Sequence, residues 1–221
     1  MRLLSRSLLA VLPVLLASTG QAFAQKQNTG FNWYIGPEVG VMVFRTPIQT
    51  ETSAISGGFN IHITAHHAAL TLAYDEAFRD NNQSQMLDPS APSGVRNVTF
   101  NNIGRISASI VAVPLESHFQ PYVGVGFGVM LTIRNYPDLT GLTTGAEVAA
   151  AQDAAGSAGS YGFGSLVVGV QFKAGPVVVF GEGELASSPG VGKLLYGANY
   201  TLMGGVRISL GNAHEDVSGL N

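Results

Sequence analysis

The chain has no cysteine and one tryptophan among its 221 residues, and only 11% of its positions are charged. The missing thiols exclude a disulfide framework, a thiolate metal site and a cysteine-linked lipid anchor, so stability must come from backbone ladders and packing. The shortage of charge sets the chain apart from an ordinary soluble domain, in which ~25% of residues are charged. Long apolar runs are missing too. After the first two dozen residues nothing approaches the ~20 consecutive apolar positions that a membrane-spanning helix requires. Glycine, at 28 residues, is abundant. Together these features fit a β-barrel in a membrane better than a soluble globule.

Residues 1–24 read as a secretory signal. Arg2 and Arg6 precede the apolar run Leu8 to Leu16, and Ala22-Phe23-Ala24 forms a small-x-small cleavage site before Gln25. Cleavage there leaves about 197 residues with nine Lys and Arg against fourteen Asp and Glu, a net charge of −5. That balance disfavours nucleic acid as a partner.

From Tyr122 to Arg134 apolar and small residues alternate. Val123, Val125, Phe127, Val129, Leu131 and Ile133 share one face, and Tyr122, Gly124, Gly126, Gly128, Met130, Thr132 and Arg134 share the other. This is the pattern of a strand with one greasy side. Similar patterns predict seven further strands: Trp33 to Phe44, Ile55 to Thr64, Ala68 to Phe78, Val98 to Val113, Gly162 to Phe172, Val177 to Leu185 and Ala198 to Leu210. Most match the ~9–11 residues of a tilted strand that crosses a bilayer. Their connections alternate. Ala65 to His67, Pro114 to Pro121 and Lys173 to Pro176 are short turns, whereas residues 45–54, 79–97, 135–161 and 186–197 are longer and mostly polar. Short turns at a periplasmic rim and long loops outside are the pattern of an outer-membrane barrel. Hydrocarbon leaves no water for unpaired N–H and C=O groups, so the predicted strands must close on themselves. The expected architecture is all-β: an eight-stranded antiparallel up-and-down transmembrane β-barrel over residues 25–210, with a polar tail at 211–221. The outward rows include Leu166, Val168, Val170 and Phe172 on one strand, and Tyr200, Leu202, Gly204, Val206, Ile208 and Leu210 on another. Neither row contains Lys or Arg. Within the third long loop the alanine-rich stretch Gly145 to Ala155 has helical potential, but Gly156 to Ser160 beside it argues for a mobile surface loop.

Three segments resemble the OmpA/OmpX-like family of small outer-membrane β-barrels: Trp33-Tyr34-Ile35-Gly36 with Val39-Gly40-Val41, Gln120 to Gly128, and Gly204-Gly205-Val206-Arg207-Ile208-Ser209-Leu210. The likeness covers nearly all of the mature chain. It implies residence in the cell outer membrane, lipid as the surrounding partner and delivery by the barrel-assembly machinery. The last segment is similar to the family's assembly signal, with Leu210 where an aromatic residue is common and a polar tail after it.

On this facing, Glu38, Arg105, Glu182, Glu184 and Arg207 point into the lumen. Glu182 or Glu184 is placed to reach Arg207, and Arg207 to reach Glu38 across the closing seam. Such ions persist when paired, which favours a polar core over an acid/base pair or an ion relay. Asp75 and Arg134 are expected near the outer strand ends, without a role. His62 and His66 lie about 13 Å apart at ~3.3 Å per residue along a strand, so with His67 they read as lumen and turn histidines. Gly124-x-Gly126-x-Gly128 lies inside a strand and fails the context of a phosphate loop. Trp33, Tyr34, Phe78, Tyr122, Phe172 and Tyr200 suggest interfacial girdles. Ser117-His118 lacks an acidic partner and oxyanion donors. No catalytic residue, cofactor or metal site is assigned. The expected function is a non-enzymatic barrel that anchors in the bilayer and displays four surface loops, for envelope structure or adhesion to an unspecified surface ligand. Two alternatives stand beside it: a barrel enzyme on envelope lipids or a narrow pore, and a soluble lipocalin-like binder with its greasy faces turned inward.

Overall fold

The computed structural model describes residues 31–115 and 117–213; the predicted signal segment and the residues after 213 lie outside them. Among the described residues nine strands form one antiparallel sheet: β1 (Phe31–Phe44), β2 (Thr52–Ala65), β3 (Ala68–Phe78), β4 (Asn82–Leu87), β5 (Val95–Ala112), β6 (Phe119–Pro137), β7 (Ser160–Ala174), β8 (Val177–Ala186) and β9 (Asn199–Ala213). β9 pairs with β1, and β3 pairs with β5, which closes eight of them into a barrel. The ninth, β4, folds back on the first residues of β5 beyond the β3–β5 ladder, Asn82 opposite Phe100 and Leu87 opposite Val95. Residues 79–97, expected to be an irregular loop, therefore include a hairpin. The β2–β3 turn places His66 at φ 44° and the β7–β8 turn places Gly175 at φ 63°, the left-handed first position of a tight hairpin.

Alternation decides which way each row faces. Val125 is 61% exposed and Phe127 70%, whereas Met130, farther along the glycine row, is fully buried. The outward rows foreseen on β7 and β9 are exposed, apart from their glycine. The inward-turned greasy faces of a lipocalin-like binder are thereby overturned. Trp33, Phe78, Phe172 and Tyr200 are exposed near strand ends, but Tyr34 and Tyr122 are buried in the lumen and belong to no girdle. At Arg134 a positive φ of 56° breaks the alternation, so its side chain leaves the lumen face on which a regular strand would have put it. β9 runs to Ala213, three residues past the predicted end, because Gly211, Asn212 and Ala213 pair with Trp33, Asn32 and Phe31.

The alanine-rich loop is a helix, α1 (Gly145–Ala158), and not a mobile segment. Thr144 caps it: the Glu147 N–H donates to Thr144 Oγ1 at 3.2 Å and the Thr144 N–H donates back to Glu147 Oε2 at 2.9 Å. Ala151 and Ala155 are buried, and their small side chains let the helix lie close to β6 and β7. After the helix Gly159 donates its N–H to Ala155 O, and a Cβ there would collide with Thr132 Oγ1.

The glycine row of β6 makes room inside. A Cβ on Gly128 would lie 2.7 Å from Cζ of Phe163, whose ring fills that space. The Gly128→Val barrel should lose about 1–3 kcal/mol of stability by overpacking. Gly181→Val, at a site with nothing within 4 Å of a new Cβ, should be near neutral, as read from denaturant midpoints in detergent. Outside the barrel wall, the turn after β4 depends on Asp88. Hydrogen bonds from the Ser90 hydroxyl and Arg96 hold its carboxyl down to about 2. Its stabilisation is complete above the unfolded value of ~3.9 and is lost as pH falls towards 2. Pepsin cleavage within residues 88–96 should therefore rise between about pH 4 and pH 2 relative to Asp88→Asn, in which the turn is weakened at both pH values.

Candidate functional site

The barrel's interior has three layers. At the short-turn end, Gln171 Nε2 donates to Gln120 Oε1 at 2.9 Å, His62 Nδ1 lies 2.8 Å from Thr71 Oγ1, and the Lys173 ammonium sits 5.7 Å from the centre of the Tyr34 ring. Nearby, Ala69, Val111, Val113, Tyr122 and Val167 form a small apolar cluster.

The middle layer is ionic. Arg105 of β5 donates through Nη2 at 2.7 Å and Nε at 3.1 Å to Asp75 Oδ2, and through Nη1 at 2.7 Å to Glu184 Oε2. Thr201 Oγ1 accepts a further bond from Nη1 at 3.1 Å. Arg207, with no exposed surface, donates Nε–H to Asn60 Oδ1 and lays its guanidinium 3.6 Å above the Phe180 ring. Asn60 in turn donates Nδ2–H to Glu38 Oε2. Glu182 accepts from the Tyr122 hydroxyl at 2.9 Å.

All five predicted lumen ions thus line one chamber, with a different pairing from the one expected. Glu184 goes to Arg105, Asn60 stands between Arg207 and Glu38, and Glu182 is held by a tyrosine. Asp75, assigned no role from sequence, is the residue opposite Arg105 in the β3–β5 register. Its inward position could be read from the alternation of β3. Its partner could not, because the β3–β5 connection contains its own hairpin and leaves the register open.

Above the ions an apolar cluster closes the long-loop mouth. Met42, Phe44, Val98, Phe100, Ile103, Met130 and Phe163 from the wall meet Met86 of β4, Ala155 of α1, and Leu194 and Leu195 of the β8–β9 loop. Leu194 and Leu195 are at most 2% exposed although they lie outside every strand. Backbone bonds hold them there. Leu194 donates N–H to Ala158 O at 3.0 Å and accepts from Ser84 Oγ at 2.6 Å, while the Tyr196 N–H reaches Arg45 O at 2.8 Å. Sequence analysis missed this plug; the one signal for it was a paired leucine inside a Gly- and Ser-rich loop.

The remaining candidates do not converge. His66 is in the β2–β3 turn, and His67 Nδ1 lies 3.3 Å from Val113 O. The Ser117 hydroxyl donates to Phe119 O, and the His118 ring packs against Phe172 at 6.4 Å between centroids. Ser117 is thus committed to backbone. On the outer wall Glu76 accepts from Asn102 Nδ2 at 2.7 Å, two residues before the end of β3, where the apolar belt gives way to the loops.

A closed ring of eight antiparallel strands, apolar outside and ion-paired inside, defines an eight-stranded up-and-down transmembrane β-barrel. Among solved structures the chain is similar to Neisserial surface protein A, NspA, with a TM-score of 0.53 at 12% identity over 80% of this chain and 96% of that one. It also aligns with Ail, the attachment invasion locus protein of Yersinia pestis, solved with the heparin analogue sucrose octasulfate (TM-score 0.42, 10% identity, 82% of this chain and 98% of that one). No family model matches the chain, and no curated protein does. The likeness to NspA is one of fold.

Removing Arg105 leaves two buried carboxylates without their cation. Arg105→Met should cost about 3–5 kcal/mol, whereas the triple variant Arg105→Met with Asp75→Asn and Glu184→Gln should recover most of that loss. Urea unfolding of the detergent-folded barrel, followed by tryptophan fluorescence, measures both.

Proposed function

We propose that this chain is a non-enzymatic outer-membrane barrel of the OmpA/OmpX-like kind, anchored in the bilayer and acting through the cap formed by its long loops. The observation that carries this reading is the sealed interior. Charges fill the middle of the bore and an apolar plug closes one mouth, so neither current nor substrate has a path. An eight-stranded barrel has little interior to begin with. The exposed aliphatic rows support lipid as the surrounding phase, and the fold shared with NspA supports an outer-membrane location. Delivery by the barrel-assembly machinery follows from the same reading.

The cap is where a surface partner would be met. Its loops are tied to one another: Thr46 Oγ1 donates to Gln83 O at 2.6 Å, Lys193 Nζ to Ser157 O at 2.8 Å, and Arg96 Nη1 to Asp138 O. Such a surface meets a partner with little ordering cost. Val191 is 95% exposed and Leu87 59%, and Gly192, the residue after Val191, lies against Leu87, so the cap presents two open apolar side chains. Envelope structure and adhesion both suit that design.

The purified protein should migrate differently on a gel when unboiled than when boiled, and should give no conductance steps in a planar bilayer. The double variant Leu194→Asp, Leu195→Asp should loosen the plug while keeping the heat-dependent shift. Identical mobility before and after boiling, with no β signal in detergent, would overturn the barrel reading; wild-type channel steps would overturn the sealed one.

A further inference from the structure

The ionic layer is unbalanced. Four carboxyls, Glu38, Asp75, Glu182 and Glu184, share it with two guanidinium groups, Arg105 and Arg207. Ion pairs reach Asp75 and Glu184; among the described residues none reaches Glu38.

The position of Glu38 explains how it remains buried. In the ladders Glu38 of β1 stands opposite Gly58 of β2, which stands opposite Asp75 of β3. Gly58 has no side chain to separate the two acids. A Cβ built there would lie 2.8 Å from Asp75 Oδ1, so that oxygen leans over the glycine towards Glu38, and the two carboxyls are within hydrogen-bonding reach.

The two side chains that donate to these acids, Arg105 and Asn60, are already committed. Arg105 binds Asp75 only through Oδ2, and Oδ1 is buried with no donor. A buried carboxylate oxygen without a donor costs free energy, and a proton between the two acids removes that cost. Asn60 cannot supply a donor to Asp75 in place of Glu38. Its Oδ1 accepts from Arg207 Nε, a group that only donates, so its Nδ2 is turned to Glu38 Oε2. Glu38 Oε1 is then the oxygen left to carry the proton. Two carboxylates this close do not both ionise.

We propose that Glu38 and Asp75 share one proton across Gly58, Glu38 donating as the carboxylic acid and Asp75 accepting as the carboxylate, so that the lumen contains a proton-locked acid pair. The pair connects the Arg105–Glu184 cluster to the Asn60–Arg207 arm, and Glu182 with Tyr122 faces it from β8 and β6. Proton release would set two negative charges against each other over Gly58. The barrel would then be less stable in alkali than its neutral-pH form.

The test is infrared spectroscopy of the folded barrel in detergent at neutral pH, before and after exchange into heavy water. Wild-type protein should show a deuterium-sensitive band of a buried protonated carboxylic acid. Glu38→Gln, whose amide can still donate to Asp75 Oδ1, should lose that band, keep the heat-dependent gel shift and lose less stability between neutral and alkaline pH. Asp75→Asn should lose it too, because its amide donates to an ionised Glu38. Absence of the band from wild type at neutral pH, or its persistence in Glu38→Gln, overturns the proposal. The wild-type spectrum decides the matter even if neither variant folds.

Discussion

In hydrocarbon a backbone N–H or C=O group without a partner costs several kcal/mol, so a sheet that enters a bilayer cannot keep an edge. Here two ladders remove the edges: β1 to β9, joining residues near the two ends of the barrel sequence, and β3 to β5, bridging a long loop. Once the ring is closed, each strand has one row facing out and one facing in, and the outward row has only lipid or detergent to meet. The exposure of Val125, Leu166, Leu202 and Ile208, severe in water, follows from that closure.

Closure also sets the problem of the interior, because an eight-stranded bore must be filled by what its own strands supply. The chain fills it by setting glycine against bulk. Gly128 yields to Phe163, Gly169 yields to Tyr122, and Gly58 leaves a gap that the Asp75 carboxyl enters. The bulk is polar at mid-height, where Arg105 is held by two carboxylates and a hydroxyl, and Arg207 by an amide at its Nε and by the face of Phe180. Buried ions of this kind add little net stability, but any one of them is costly to orphan.

At the long-loop end the same filling is done by residues outside the ring. Ser84 and Ala158 supply the bonds that hold Leu194 in the mouth, and α1 rests on the wall through alanines. The cap is therefore continuous with the core. Its order comes from the plug beneath it and the caps within it, of which the Thr144–Glu147 box is the plainest. That box stands in the sequence as Thr-x-x-Glu ahead of an alanine run, a signal the sequence analysis did not use when it read the glycines after it as the mark of a loop. The burial of Ala155 beneath Leu194 and Met86, a contact between three separate loops, is what turned a marginal helix into a packed one.

The eight ring strands and the facing of nearly every residue in them follow from local pattern, since a period of two depends only on neighbouring residues. The inward set Glu38, Arg105, Glu182, Glu184 and Arg207 was legible for that reason. Local pattern misplaced Tyr34 and Tyr122 as girdle residues, because aromatic character marks an interface only where the side chain points outward. It carried Arg134 onto the wrong face, because a single left-handed residue reverses the phase. Which acid meets which base was decided only in the closed barrel. Register between strands joined by long loops rests on distant contacts, and one step of slip would have paired Arg105 with a residue other than Asp75.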